Sequence, residues 1–179
     1  MYFDTPCAKQ EIQLTDCFMN HYDVAIIGLG PAGATLARLL SKEYKVIAVD
    51  KKIFGDDGFK KPCGGLLSSD AQKALAKFDM TLPKDVMVDP QIFAVKTVDL
   101  KNNLTRHYQR FYINLDRHKF DLWLESIIPE RVEIHSNSRC SSIEKTDGGY
   151  RITFYENGAE QVVTARYLVG ADGANSLVR

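Results

Sequence analysis

The stretch Val24-Ala-Ile-Ile-Gly-Leu-Gly-Pro-Ala-Gly33 constrains this chain more than any other, because it runs a buried type of strand straight into a glycine turn. Val24 to Ile27 is a continuous apolar run rich in β-branched residues, as a strand covered on both faces requires. In the G-x-G-x-x-G pattern that follows, Gly28 suits the tight turn, Gly30 leaves room for a pyrophosphate, and Gly33 lets the next helix press against the sheet. Pro31 fits a first helical turn, and the helix start would point its free N–H groups and the positive end of its dipole toward phosphate. The helix that begins here has Leu36, Leu39 and Leu40 at helical spacing as its expected apolar face. A second strand, Tyr44 to Asp50, ends in an acid, and Lys51 directly after it is counted among the candidate cofactor-binding residues. Asp50 lies twenty-two positions after Gly28, near the spacing at which a carboxylate accepts the hydroxyls of an adenosine ribose. The same carboxylate repels a 2′-phosphate, so the expected ligand is FAD or NAD rather than NADP.

Composition narrows the alternatives. Lysines and arginines balance aspartates and glutamates at 23 each, so nothing calls for nucleic acid or an acidic partner. No apolar run approaches a membrane span, and residues 1–20 lack the basic start and long apolar centre of a signal peptide, which makes the cytoplasm the default. Cys7, Cys17, Cys63 and Cys140 are scattered without metal-ligand spacing, so no metal site is expected, and Cys140 reads as a small buried hydrophobe. Residues 1–18 carry no apolar period and precede Met19, which is read as the natural start, with the first eighteen residues as an extension. At 179 residues the chain is long enough for one well-buried core and too short for two full domains.

Further along, Lys51 to Lys61 is a polar, glycine-punctuated loop leading into Pro62-Cys-Gly-Gly-Leu-Leu. A helix capped by Ser69, with Ala71, Leu75 and Phe78 on its apolar face, is expected next. Ile92–Leu100 and Thr105–Ile113 read as strands around a turn at Asn102-Asn103. They interrupt the β-α-β rhythm and are assigned to an inserted layer. A helix with Asp116 as N-cap and Phe120, Leu124, Ile127 and Ile128 along one stripe ends at Pro129. Val132 to His135 is a third parallel strand, and Ser141 to Ala165 reads as two or three antiparallel strands turning at Asp147-Gly-Gly and Glu156-Asn-Gly. Tyr167 to Arg179 reads as a buried strand opening into a second glycine-acid turn. The domain reading is therefore an extension over 1–18, a first nucleotide-binding part over 19–85, inserted substrate-domain strands over 86–112, and a second, incomplete nucleotide-binding part over 113–179.

Four separated motifs, Gly28-Leu-Gly-Pro-Ala-Gly, Lys61-Pro-Cys-Gly-Gly-Leu-Leu, Asn114-Leu-Asp-Arg-His-Lys-Phe-Asp and Leu168-Val-Gly-Ala-Asp-Gly-Ala-Asn-Ser, occur in this order. Together they resemble the FAD-dependent oxidoreductases of the geranylgeranyl reductase family, and within it the bacterial branch that contains the colicin M resistance flavoprotein. The resemblance implies a glutathione-reductase-like α/β fold: a Rossmann-type FAD-binding domain with antiparallel strands of a substrate domain inserted. It further implies that the backbone at Ala32 meets the FAD pyrophosphate and Asp50 the adenosine ribose, and that Arg117 reaches back to the cofactor. The turn Cys63-Gly64-Gly65 would pass the flavin ring. Cys63 is either a packing thiol or one that tunes the reduced flavin, and it is the one candidate catalytic residue; no histidine sits in a recognisable site. Asp172-Gly173 would help hold FAD or its reductant, with NAD(P)H as the candidate donor.

The implied reaction is reduction of carbon–carbon double bonds in an isoprenoid-type, lipid-like small molecule, with peripheral membrane contact through that substrate. A flavin monooxygenase is the first rival, and a non-catalytic FAD-binding fragment the second. A later Gly-Asp motif that binds the flavin ribityl chain in the family is absent before Arg179, so the chain is expected to be C-terminally incomplete, inactive alone and a weak FAD binder.

Overall fold

The computed structural model describes residues 20–53 and 63–179. The extension over 1–18, the start at Met19, Cys7, Cys17 and most of the loop through Lys61 and Pro62 lie outside the described residues. In chain order the elements are β1 (Asn20–Ile27), α1 (Pro31–Leu39), β2 (Val46–Val49), β3 (Leu66–Leu67), α2 (Ser69–Lys77), a 3-10 turn (Lys84–Val86), β4 (Ala94–Asp99), β5 (Leu104–Gln109), β6 (Ile113–Asn114), α3 (Arg117–Ser126), β7 (Val132–His135), β8 (Ser138–Thr146), β9 (Gly149–Glu156) and β10 (Ala159–Gly170). They fall into two units, one formed by Met1–Phe54 with Ile128–Arg179 and the other by Gly55–Ile127.

The first unit is built on a six-stranded sheet of order β7-β2-β1-β10-β9-β8. β1 runs parallel to both β2 and β10, and β2 parallel to β7. All four residues of β2 and the last four of β1 are buried, as expected of apolar runs in the middle of a parallel sheet. Ser141 to Ala165 does form antiparallel structure, and the strand expected from Tyr167 onward is the end of the third of these and is not buried, Tyr167 being 49% exposed. β10 runs unbroken for twelve residues, pairing with β9 over Ala159–Ala165 and with β1 over Val163–Gly170. One hydrophobic cluster therefore gathers Ala25, Ile27, Ile47 and Val49 of the parallel strands with Ile152, Phe154, Val163 and Ala165 of the antiparallel ones.

The face α1 buries differs from the expected one. Gly33, Ala34 and Ala37 are buried, whereas Leu39 is 47% exposed. The helix lies so close to the strand-turn backbone that only small residues fit on its inner side.

A polar network joins three strands of this unit. The Tyr22 hydroxyl donates to Glu133 (2.7 Å), and His135 lies 3.0 Å from both Glu133 and Glu156. Burial would raise the Glu133 carboxyl, but the bonds from Tyr22 and His135 and the charge of Lys45 outweigh it and hold it below the ordinary 4.5. A carboxyl depressed in the folded state contributes stability above its unfolded value, and that contribution is lost as pH falls through the lower folded value. Glu133→Gln should therefore lose stability less steeply than the parent on acidification below 4.5, measured by urea unfolding at stepped pH. Parallel curves would show that Glu133 does not contribute in this way.

In the second unit, α2 is capped by Ser68, which accepts from the Ala71 amide (3.3 Å), one residue earlier than expected. Asp116 caps α3 as expected, accepting from His118 and Lys119. The expected long strands are shorter: β4 and β5 form a hairpin, and the segment beyond Gln109 breaks off to make β6 against β3. The side chain of Gln91 takes over backbone pairing there, receiving the Asn114 amide (2.8 Å) and donating to its carbonyl (2.9 Å).

Candidate dinucleotide site

In the first unit the strand-turn-helix fingerprint and the second glycine-acid turn come together. Gly28 has φ +98°, which disfavours a side chain, and a Cβ there would lie 2.5 Å from the Ala171 carbonyl oxygen. The Gly28 amide donates to Val49 (2.8 Å) and the Ala171 amide to Ile27 (2.7 Å), so the two turns are fixed by neighbouring strand ends. A Cβ on Gly33 would lie 1.9 Å from the Gly28 carbonyl oxygen, which is the close helix approach expected of the third glycine. Gly30 is different. A Cβ there would meet nothing within 4 Å.

Gly30 is the N-cap of α1, with extended backbone. No side chain caps this helix and its first turn holds no acid, in contrast to α2 and α3 with their Ser68 and Asp116 caps. Pro31 is at the helix start and Ala32 is exposed in the first turn. The early amides, which have no partners within a helix, therefore face an uncrowded position carrying partial positive charge.

Asp50 stands at the end of β2, only 5% exposed. Its carboxylate accepts from the Leu29 amide inside the glycine turn and from the Lys52 amide (2.9 Å), with the Lys52 ammonium 3.9 Å away. The lysine beside the acid is thus Lys52, whereas Lys51 is exposed and acts through its charge on Asp172. Nothing in the spacing distinguished these two lysines. Asp172 accepts from the Leu177 amide (2.8 Å), while its Oδ1 is buried without a hydrogen-bond partner. Burial pulls the Asp172 carboxyl up, but bonds from Ser176, Leu177 and its own amide, with the Lys51 charge, hold it below the usual carboxylate range. Gly173, exposed at φ +89°, completes that turn. An uncapped helix start, open space beside Gly30 and a buried carboxylate at the end of β2 have the chemistry that the adenosine-pyrophosphate half of a dinucleotide requires.

Within the second unit, Cys63, Gly64, Gly65 and Arg117 also come together. The Leu115 amide donates to the Gly65 carbonyl (2.7 Å), and at φ +66° a Cβ on Gly65 would meet the Leu115 carbonyl at 2.1 Å. Gly64 has open space beside it. This backbone contact brings Cys63 to the first residue of α3, where Arg117 Nη1 lies 3.9 Å from its Sγ. Arg117 Nε donates to Asp121 (2.8 Å), a partner that its i,i+4 spacing could have disclosed. Burial works against the Arg117 charge, and the Asp121 and Cys63 contacts more than restore it.

The Gly65 amide lowers the exposed Cys63 thiol below its ordinary range, burial opposing and Arg117 adding to the fall. Burial instead pushes Cys140, half-buried in β8, up to about 11, with the Asp172 charge adding to the rise. Iodoacetamide at neutral pH should therefore label Cys63 at least about tenfold faster than Cys140, since the thiolate is the reactive form. Arg117→Ala should slow Cys63 labelling, read peptide by peptide in a mass spectrum. Equal rates at the two cysteines would contradict the assigned environments. Among the described residues no group of three His, Cys, Asp or Glu side chains could hold a metal, and no helix is long and apolar enough to cross a membrane.

The parallel strands, glycine turn and antiparallel strands define a Rossmann-type α/β fold of the FAD-binding flavoprotein kind. A family described as FAD binding domain matches residues 122–179. Protein CbrA of Escherichia coli (strain K12) is 57% identical over 162 residues, covering 90% of this chain and 46% of CbrA. The chain thus spans about half the length of the curated relatives it matches. Among solved structures, a geranylgeranyl bacteriochlorophyll reductase-like protein from Thermoplasma acidophilum superposes with a TM-score of 0.72 at 22% identity, covering 87% of this chain and 40% of that one. The rebeccamycin biosynthetic enzyme RebC with reduced flavin gives 0.70 at 22%, covering 90% and 34%. The resemblance stands as one to FAD-binding flavoproteins.

Proposed function

We propose that this chain supplies the adenosine- and pyrophosphate-binding part of an FAD-dependent oxidoreductase. The observation that carries the reading is the start of α1, uncapped by any side chain and free of acid, with unoccupied space at the Gly30 Cβ position. Pyrophosphate oxygens would accept from the first-turn amides at Ala32 and Gly33, and Asp50 would accept the ribose hydroxyls. Asp172, with one buried oxygen unpartnered, would receive a further donor from the cofactor or its NAD(P)H reductant. FAD supplies hydride chemistry when bound, and the protein's part is to bind and orient it. For Arg117 and the Cys63–Gly65 turn, the cofactor role rests on the resemblance. We carry reduction of isoprenoid-type double bonds, in a cytoplasmic enzyme, as the corresponding reading of the whole protein.

Gly30→Val provides the test. Its backbone, φ −71° and ψ −173°, suits any residue and its Cβ meets nothing, so the cost should be the roughly 1 kcal/mol of a poorer N-cap residue and the chain should stay folded. The added side chain would nevertheless occupy the pyrophosphate position. FAD affinity, followed by flavin fluorescence, should fall at least about tenfold, and ADP should compete with FAD in the parent chain while FMN should not. Unchanged FAD affinity in folded Gly30→Val would refute the site.

A further inference from the structure

Arg117 and Asp121 of α3 form an ion pair that the helix itself does not favour. Arg117 is the first residue of α3, where the positive end of the helix dipole repels a cation, and partial burial works against its charge as well. Asp121, one turn later, is buried with its neighbours Phe120 and Leu124, and a carboxylate in such surroundings costs free energy unless it is paired. Even the order is the weaker one, since an i,i+4 pair stabilises a helix more with the acid on the N-terminal side. An apolar residue at position 121 would be buried there without these costs.

What the pair does supply is orientation. A guanidinium is planar, so fixing one edge of it fixes the other. Arg117 Nε donates to Asp121 Oδ1 at 2.8 Å, with the two side chains only 23% and 9% exposed, and Nη1 then lies 3.9 Å from Cys63 Sγ. The Gly65 amide reaches the same sulfur from the other side of its own turn, and that turn is held to the start of α3 by the bond from the Leu115 amide to the Gly65 carbonyl (2.7 Å). Two donors from separate segments thus converge on one sulfur atom.

We propose that Asp121 is a positioning residue, which holds the Arg117 guanidinium so that its Nη edge meets the sulfur of Cys63, the candidate catalytic thiol of this chain. By charge alone Asp121 has the opposite effect on that sulfur: its carboxylate disfavours a thiolate, whereas Arg117 and the Gly65 amide favour one. A comparison of two neutral replacements removes the charge effect and leaves the effect of the hydrogen bond. All of these contacts lie in the second unit and do not depend on FAD being bound.

Asp121→Asn and Asp121→Leu provide the test. Both replacements are neutral and close to aspartate in size, and only asparagine keeps an acceptor for Arg117 Nε. Iodoacetamide labelling of Cys63 in the 179-residue chain is followed across pH, peptide by peptide in a mass spectrum. The Asp121→Leu profile should lie at higher pH than the Asp121→Asn profile with a plateau no lower, and at neutral pH its labelling should be about threefold slower. A unit charge at about 4 Å in water changes the thiolate population about fivefold, and the more basic thiolate regains part of this as nucleophilicity. A change in access to the sulfur would lower the plateau and leave the position of the profile alone. With Arg117→Ala added, the two profiles should coincide, because the effect runs through the guanidinium. Urea unfolding identifies the folded variants, and Asp121→Ala, which also lacks an acceptor, replaces Asp121→Leu if leucine prevents folding. Coincident profiles with Arg117 present, faster labelling in Asp121→Leu than in Asp121→Asn, a difference confined to the plateau, or a difference that survives Arg117→Ala would each overturn the proposal. None of these outcomes bears on the Gly30 test of FAD binding.

Discussion

Gly33→Ala should destabilise the first unit by about 3 kcal/mol, at the upper end of the cost of overpacking. The single added carbon would lie 1.9 Å from the Gly28 carbonyl oxygen and 3.2 Å from the Ala171 side chain. The nearest of these is backbone, so no rotamer change can relieve the clash. Relief would require α1 to lift away from the β1 turn, uncovering Ala34 and Ala37, or the turn itself to open, breaking the Gly28 amide bond to Val49. A loss of this size should lower the melting temperature by roughly 6–12 °C for a protein of this length. Urea unfolding checks the figure. A change below about 0.5 kcal/mol, the range of an ordinary surface substitution, would mean that the helix is not packed this closely. The contrast with Gly30→Val separates architecture from binding, since one glycine is required by the fold and the other by the proposed ligand.

Asp50→Ala should reduce both stability and FAD affinity. In the folded chain the carboxylate is buried and holds the Leu29 amide, whose loss of an acceptor should cost about 1–3 kcal/mol. Hydrogen bonds to a charged group contribute about 1.5–3 kcal/mol each. Removing the proposed ribose acceptor should therefore weaken FAD by one to a few powers of ten, at about 1.4 kcal/mol per power. Asp50→Asn keeps an acceptor for Leu29 and should recover most of the stability but only part of the affinity. FAD titration of the folded variants checks this, and unchanged affinity in Asp50→Ala would sink the ribose assignment.

Much of the candidate site's backbone geometry is legible in the sequence because its parts are local. The β1–turn–α1 segment, the acid at the end of β2 and the Asp116 cap each depend on neighbours within a few positions, where periodicity and turn chemistry operate. The inner face of α1 was misjudged for the opposite reason. Leu39 has the right helical spacing, but the helix meets the Gly28 turn too closely for a leucine, and that separation belongs to the packed structure. That β10 is one strand is not legible in the sequence, because its first part pairs with β9 and its last part with β1, and this change of neighbours leaves no single alternation along it.

By itself, the sequence determined the dinucleotide fingerprint: a buried strand, three glycines with separate tasks, and Asp50 one strand later. Only the tertiary structure decided that Ala171 closes over Gly28, that Lys52 rather than Lys51 stands beside Asp50, and that Arg117 lies between Cys63 and Asp121. The physical reason is one of range. Backbone conformation and capping follow from adjacent residues, whereas Ala171 reaches Gly28 across more than a hundred positions through the β1–β10 pairing, and the Arg117–Cys63 contact spans fifty-four through β3–β6.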